Sequence, residues 1–282
     1  VRETSNPVFR SLPKTQGGYA QFGTGAAGYG AQAVHADPYA GAYPEQRQAG
    51  VARPLTIDDV VTKTGITLAV LTAVAVVSYF VVDQNLSLAA PFAFVGAIGG
   101  LVLVLIAMFG RKQDNPAIVL SYAALEGLFL GSISYLMANF AVQGISAGAL
   151  ISQAVVGTFG VFFGMLVVYK TGAIRVTPKF TRWIVGALFG AVALMLVNLV
   201  VGLFTHGAGP LRDGGPLAIV FSLVMIGIAA FSFLIDFDQA DQAIRAGAPE
   251  KAAWGIALGL TVTLVWLYLE ILRLLSYFNS SN

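Results

Sequence analysis

Three stretches of this sequence set ionisable side chains inside long apolar runs: Glu126 in SYAALEGLFLGSISY, Asp236, Asp238 and Asp241 in FSFLIDFDQADQAIRAG, and Glu270 with Arg273 in WLYLEILRLLSYF. A charged group in hydrocarbon costs at least about 2.5 kcal/mol on insertion scales, so each needs a partner, a proton or an aqueous cavity. Carboxylates so placed can carry protons, or can ligate a hard cation such as calcium through oxygen. Asp236 and Asp238 lie about 200° apart on a helix and cannot share one face. Asp236, next to Phe233-Leu234-Ile235, is the first candidate to point inward, and Asp238 is the second. Asp241 and Arg245 are spaced to pair on a solvated extension of the same helix. Glu126 reads equally as a protonated structural residue or as a pathway group. Glu270 and Arg273 read equally as a local ion pair or as pathway groups.

These residues need elements to hold them, and the composition says which kind. The chain has 282 residues, 57% hydrophobic and 11% charged, with a mean hydropathy of +0.77. A soluble domain carries about 25% charged residues, so this is a membrane protein. Roughly 20 apolar residues cross a bilayer core as a helix. Seven such runs are predicted, at about 64–82, 88–109, 117–140, 147–169, 181–204, 216–236 and 254–278. The fold class expected is therefore an all-α integral membrane protein with a 57–282 transmembrane domain. Residues 1–56 are rich in Gly, Ala, Tyr and Gln without apolar periodicity, and are expected to form a disordered cytoplasmic tail. The tail lacks the features of a secretory signal and is expected to stay attached.

Five glycine pairs four residues apart punctuate the spans: Gly96/Gly100, Gly127/Gly131, Gly160/Gly164, Gly186/Gly190 and Gly255/Gly259. Such spacing permits close backbone approach between helices in lipid. Packing within the bundle is the favoured reading over a dimer face.

Lys and Arg number sixteen, and with the tail inside all but two fall on the cytoplasmic side, which sets an N-in, C-out orientation. The two exceptions are Arg212, between the fifth and sixth spans, and Arg273. The depth of Glu270 depends on where the last helix meets the bilayer. From Trp254 it lies about 24 Å in, and from Leu260 about 15 Å, the second value being level with the carboxylates of helices three and six. Zero cysteines and two histidines, His35 and His206, leave no thiolate or histidine-rich metal site, and His206 is expected outside the spans. A net charge of +2 argues against nucleic acid as a partner. No catalytic signature occupies the spans, so an enzyme is not expected, and neither is a cofactor beyond transient Ca2+.

The seven spans, the Glu126-Gly127 pair of the third, and the run DFDQADQAIRAGAPEKAAWGIALGLTVTLVWLYLEILRLL resemble the Bax inhibitor-1 superfamily, and more narrowly its bacterial branch. The resemblance covers about residues 56–278. It implies six helices packed around a central seventh, in a bacterial plasma membrane. It also implies a proton-responsive latch between acidic residues of helices six and seven, and a pH-sensitive calcium leak. Glu270 maps onto the helix-seven position because it follows Leu267-Tyr268-Leu269 as the family's carboxylate does, although Glu stands where Asp is usual and Arg273 is close. Its helix-six partner maps to Asp236 or Asp238. Two carboxylates brought together out of water resist simultaneous ionisation and hold a shared proton, and such a pair would form the gate. The alternative function is a non-transporting regulator of other membrane proteins, such as a protease or stress-response complex, with the N-terminal tail as the contact element.

Overall fold

A computed structural model describes residues 53–140, 146–205 and 207–280. Seven helices are long and apolar enough to cross a membrane: α1 (Ile57–Gln84), α2 (Ala89–Phe109), α3 (Pro116–Phe140), α4 (Ala147–Thr171), α5 (Pro178–Thr205), α6 (Pro216–Arg245) and α7 (Ala252–Ser280). Local chemistry sets their starts. Pro occupies the first helical position of α3, α5 and α6, where its missing N–H costs nothing. The side chains of Asn115, Ser146 and Thr177 accept first-turn N–H groups of α3, α4 and α5. Gly172, at φ +68°, ends α4 in a left-handed turn that suits glycine.

The helices form a bundle around α7, the most buried of the seven. Helices α1, α3, α4 and α6 pack directly on it, α2 backs onto α3, and α5 backs onto α6. The main core joins Phe233 and Phe237 of α6 to Leu260, Leu264 and Leu267 of α7. Smaller clusters bring Ala107 of α2 together with Leu258, and Ala191 of α5 together with Trp266.

Two boundaries differ from the hydropathy reading. Helix α1 starts at Ile57 rather than near 64, because Thr56 and Asp59 form a capping box that holds the first turn together before the apolar run begins. Residues 53–56, expected as the end of the tail, are packed: Leu55 is buried in the main core, and its N–H donates to Ala248 while Glu250 N–H donates to Arg53. Ion pairs Arg53–Asp59, Arg53–Glu250 and Lys63–Glu250 close this clasp, and Lys251–Asp114 ties the α2–α3 connection to the same end. Hydrogen bonds first from Lys63, then the Arg53 charge, hold the Glu250 carboxyl below its usual range. Lys251 does the same for Asp114. Helix α6 continues past its apolar part to Arg245, leaving only residues 246–251 to connect it to α7.

The glycine pairs divide. A Cβ on Gly96 would meet the Leu125 carbonyl at 2.5 Å, one on Gly127 the Leu71 carbonyl at 2.6 Å, and one on Gly131 the Ala75 carbonyl. These positions are needed for α2–α3 and α1–α3 contact. Gly160, Gly164, Gly186 and Gly190 have no heavy atom within 4 Å of such a Cβ. Intramolecular packing, expected for all the pairs, therefore does not account for those of α4 and α5.

Candidate functional site

Seven residues of helix advance about 10 Å and return to within about 20° of the same face. Thr263 and Glu270 stand in that relation on α7, and each meets an ionic or polar partner from outside the helix.

Glu270 is 1% exposed. Arg212 donates to it twice, Nη2 to Oε1 at 2.9 Å and Nη1 to Oε2 at 3.1 Å. Arg273 adds Nη1 to Oε1 at 3.0 Å from one turn further along α7. The bidentate fork of Arg212 fixes the plane of the carboxylate. Two guanidiniums on one carboxylate leave the cluster with an excess positive charge.

The local sequence explains how a connection residue reaches the central helix. Asn198, buried near the end of α5, donates to the Ala208 carbonyl at 2.9 Å and accepts from Leu211 N–H at 2.8 Å, so one side chain folds the following turn. Gly209 sits at φ +76° with Asn198 in the space a Cβ would need, which restricts that position to glycine. The turn delivers Arg212 over the Phe221 ring at 5.3 Å, a cation–π contact. The Tyr277 hydroxyl donates to the Arg212 carbonyl at 3.4 Å. A cavity of about 570 Å³ lined by Met195, Asn198, Leu211, Arg212 and Phe221 adjoins this cluster.

Asp236 of α6 accepts from the Thr263 hydroxyl at 2.8 Å. Asp238 is bonded by Gln242 at 2.6 Å on an exposed face. Asp241 pairs with Arg245 at 2.8 Å and accepts from Tyr169 at 3.4 Å, as the spacing predicted for Arg245. Glu126 lies between α2 and α3, where Gly100 leaves it room. Its Oε2 is buried with no hydrogen-bond partner, and Tyr122, one turn earlier, is the neighbouring polar group.

The structure does not bring the helix-six aspartates and Glu270 together. Asp236 meets α7 two turns earlier, at Thr263, so the direct dicarboxylate latch implied by the resemblance is not formed. The partner of Glu270 is Arg212. Eighteen residues of α7, about 27 Å, separate Glu270 from the helix start at Ala252. Among the described residues no group of three or more His, Asp or Glu could hold a metal ion. Neither this cavity nor the groove of about 490 Å³ between α1, α3, α4 and α7 is lined by a predicted pathway carboxylate. Residues 1–52 of the tail expected as a partner contact, and His206, lie outside the described residues.

Sequence reasoning missed the role of Arg212, though a signal existed. Arg212 and Arg273 were the two basic residues out of step with the charge asymmetry, and these are the two that meet on Glu270. A family model described as Bax inhibitor 1 like matches residues 6–280, a span that reaches into the N-terminal tail beyond the resemblance read from the spans. A search of curated proteins finds no match.

Proposed function

The chain belongs to the Bax inhibitor 1 like family, and on that premise we propose that it is a pH-sensitive cation leak protein, calcium being the cation of first interest. In this reading the Glu270–Arg212–Arg273 cluster is its lock and Asp236 its cation-facing carboxylate. The observation that carries the reading is the pair of polar stations on one face of the central helix. The Glu270 cluster is charged and buried, and Asp236–Thr263 lies about 10 Å away.

A buried ion cluster is a poor source of stability, because desolvation offsets most of its Coulomb energy. Its retention on α7 therefore suits a two-state element. The Glu270 carboxylate holds Arg212, and with it the α5–α6 connection, against α7. Without the Glu270 charge, Arg212 and Arg273 face each other with nothing to join them. Their repulsion then drives the α5–α6 connection away from α7 and widens the cavity beside Arg212. Oxygen ligands from Asp236 and Thr263 suit a hard cation held transiently. With the basic residues retained inside, this gate faces the exterior.

Calcium flux from proteoliposomes of the full chain tests the reading. Glu270→Gln and Arg212→Gln should each raise the leak at neutral pH toward the wild-type leak in acid, and flatten its pH dependence. Asp236→Asn should lower it. Wild-type flux and pH profile in all three variants would refute both the lock and the pathway.

A further inference from the structure

We propose that the α4–α5 hairpin is a binding site for an anionic phospholipid, its headgroup phosphate held at the hairpin and its acyl chains lying along the open faces of α4 and α5.

Charge complementarity carries the argument. Between Glu126 and Asp213 the sequence contains no acidic residue, yet the hairpin bears Lys170, Arg175, Lys179 and Arg182, all exposed. None forms an ion pair among the described residues; at the same end of the bundle Arg53, Lys63, Arg245 and Lys251 are paired, and only Arg111 and Lys112 of the α2–α3 connection are likewise without one. Asp241 touches Tyr169, beside Lys170, but is itself held by Arg245. Segregation of positive charge to one membrane side requires basic residues there, but not that one hairpin gather four of them with no acidic residue on either of its helices.

Lys179 and Arg182 also stand in the first turns of α5. A helix N-terminus repels cations and attracts anions, so these residues do not serve the helix. With Lys170 and Arg175 they gather positive charge where a headgroup phosphate would sit. Trp183 is 71% exposed, at the position where an indole marks the membrane interface. Gly164 lies seven residues before the end of α4, and Gly186 eight residues after the start of α5, so both stand about 10–12 Å from the hairpin. Both are open, with no heavy atom within 4 Å of the place a Cβ would occupy, so a chain can lie against the helix backbone just below the headgroup.

The test uses the full chain carrying Trp254→Phe and Trp266→Phe, so that only Trp183 fluoresces. It is reconstituted in phosphatidylcholine with brominated phosphatidylglycerol, or with brominated phosphatidylcholine as reference. Each basic residue at an anionic surface contributes about a fivefold preference. The expected result is at least a fivefold tighter association of the anionic lipid, read from quenching. Lys170→Gln, Arg175→Gln, Lys179→Gln and Arg182→Gln together should abolish the preference, and the pair Arg175→Gln with Lys179→Gln should reduce it, so the reading does not depend on one variant folding. The pair Arg111→Gln with Lys112→Gln, on the α2–α3 connection, should leave it intact. Equal quenching by the two lipids, survival of the preference in the quadruple variant, or equal loss in the α2–α3 control would overturn the proposal. So would displacement by millimolar inorganic phosphate, which would make this a site for a soluble anion.

Discussion

The three members of the Glu270 cluster should differ in their effect on stability in an order set by who is left unpaired. Glu270→Ala strands two guanidiniums whose side chains are only 15% and 23% exposed. Breaking a buried pair costs about 3–5 kcal/mol in soluble proteins. Hydrogen bonds inside membrane proteins average only about 0.6 kcal/mol, because the unfolded chain in lipid also finds partners. Three charged bonds are lost here and two like charges are left in contact, so a loss of about 3 kcal/mol is expected. Arg212→Ala removes two of the three bonds and the Phe221 contact but leaves Glu270 paired with Arg273, for about 2 kcal/mol. Arg273→Ala leaves the bidentate pair whole and should cost about 1 kcal/mol. Replacing all three by Glu270→Leu, Arg212→Met and Arg273→Met removes the desolvation penalty together with the attraction. That variant should be near wild-type stability while losing any pH-dependent flux. Unfolding by sodium dodecyl sulfate in mixed micelles, followed by circular dichroism, gives the order. Arg273→Ala as damaging as Arg212→Ala, or the apolar triple falling as far as Glu270→Ala, would refute the reasoning.

The glycine pairs give a second test. Gly131→Ala drives a methyl into the Ala75 carbonyl and Ser78 and should cost about 1–3 kcal/mol as overpacking, whereas Gly160→Ala and Gly186→Ala should stay within about 0.5 kcal/mol of wild type in the same unfolding assay. The clasp at the α1 end gives a third. Because Lys63 and Arg53 hold Glu250 below its usual range, its contribution is complete above the unfolded-state value and is lost as pH falls through the folded-state value. Hydrogen exchange of the peptide covering 53–56 should therefore be slow near about pH 6 and rise toward about pH 3 beyond the intrinsic trend, and Glu250→Gln should make it fast throughout. Unchanged protection in that variant would mean that the backbone bonds alone hold the clasp.

The number and order of the helices were legible because hydrocarbon demands long uninterrupted apolar runs, and seven of these stand out whatever their partners. Their ends were less so. Hydropathy marks where a chain leaves lipid, not where a helix stops, so α6 runs on through Asp238 and Asp241 to Arg245, and α1 starts at a capping box ahead of its apolar run. The glycine spacing showed which helices could approach closely without showing which do: Gly127 and Gly131 meet α1, while the same pattern in α4 and α5 meets nothing among the described residues of the bundle.

Glu270 stood out in the sequence, and its partner could have been reached by charge accounting across the whole chain rather than within each helix. A carboxylate buried at 1% exposure needs cations at its own depth. The basic residues segregated to the α1 end cannot reach it, since α7 places it about 27 Å from its own start. That leaves the two basic residues which break the segregation. Arg273 is local, one turn away, and could have been anticipated as a neutral pair. Arg212 arrives from 58 residues earlier through a turn shaped by Asn198 and Gly209, and it converts a neutral pair into a cluster with a surplus positive charge. A surplus cation over a carboxylate repels other cations, so in the proposed reading this end of α7 is the lock rather than the binding station. Asp236 faces Thr263 and forms no ion pair among the described residues, which in that reading leaves it as the cation-facing carboxylate.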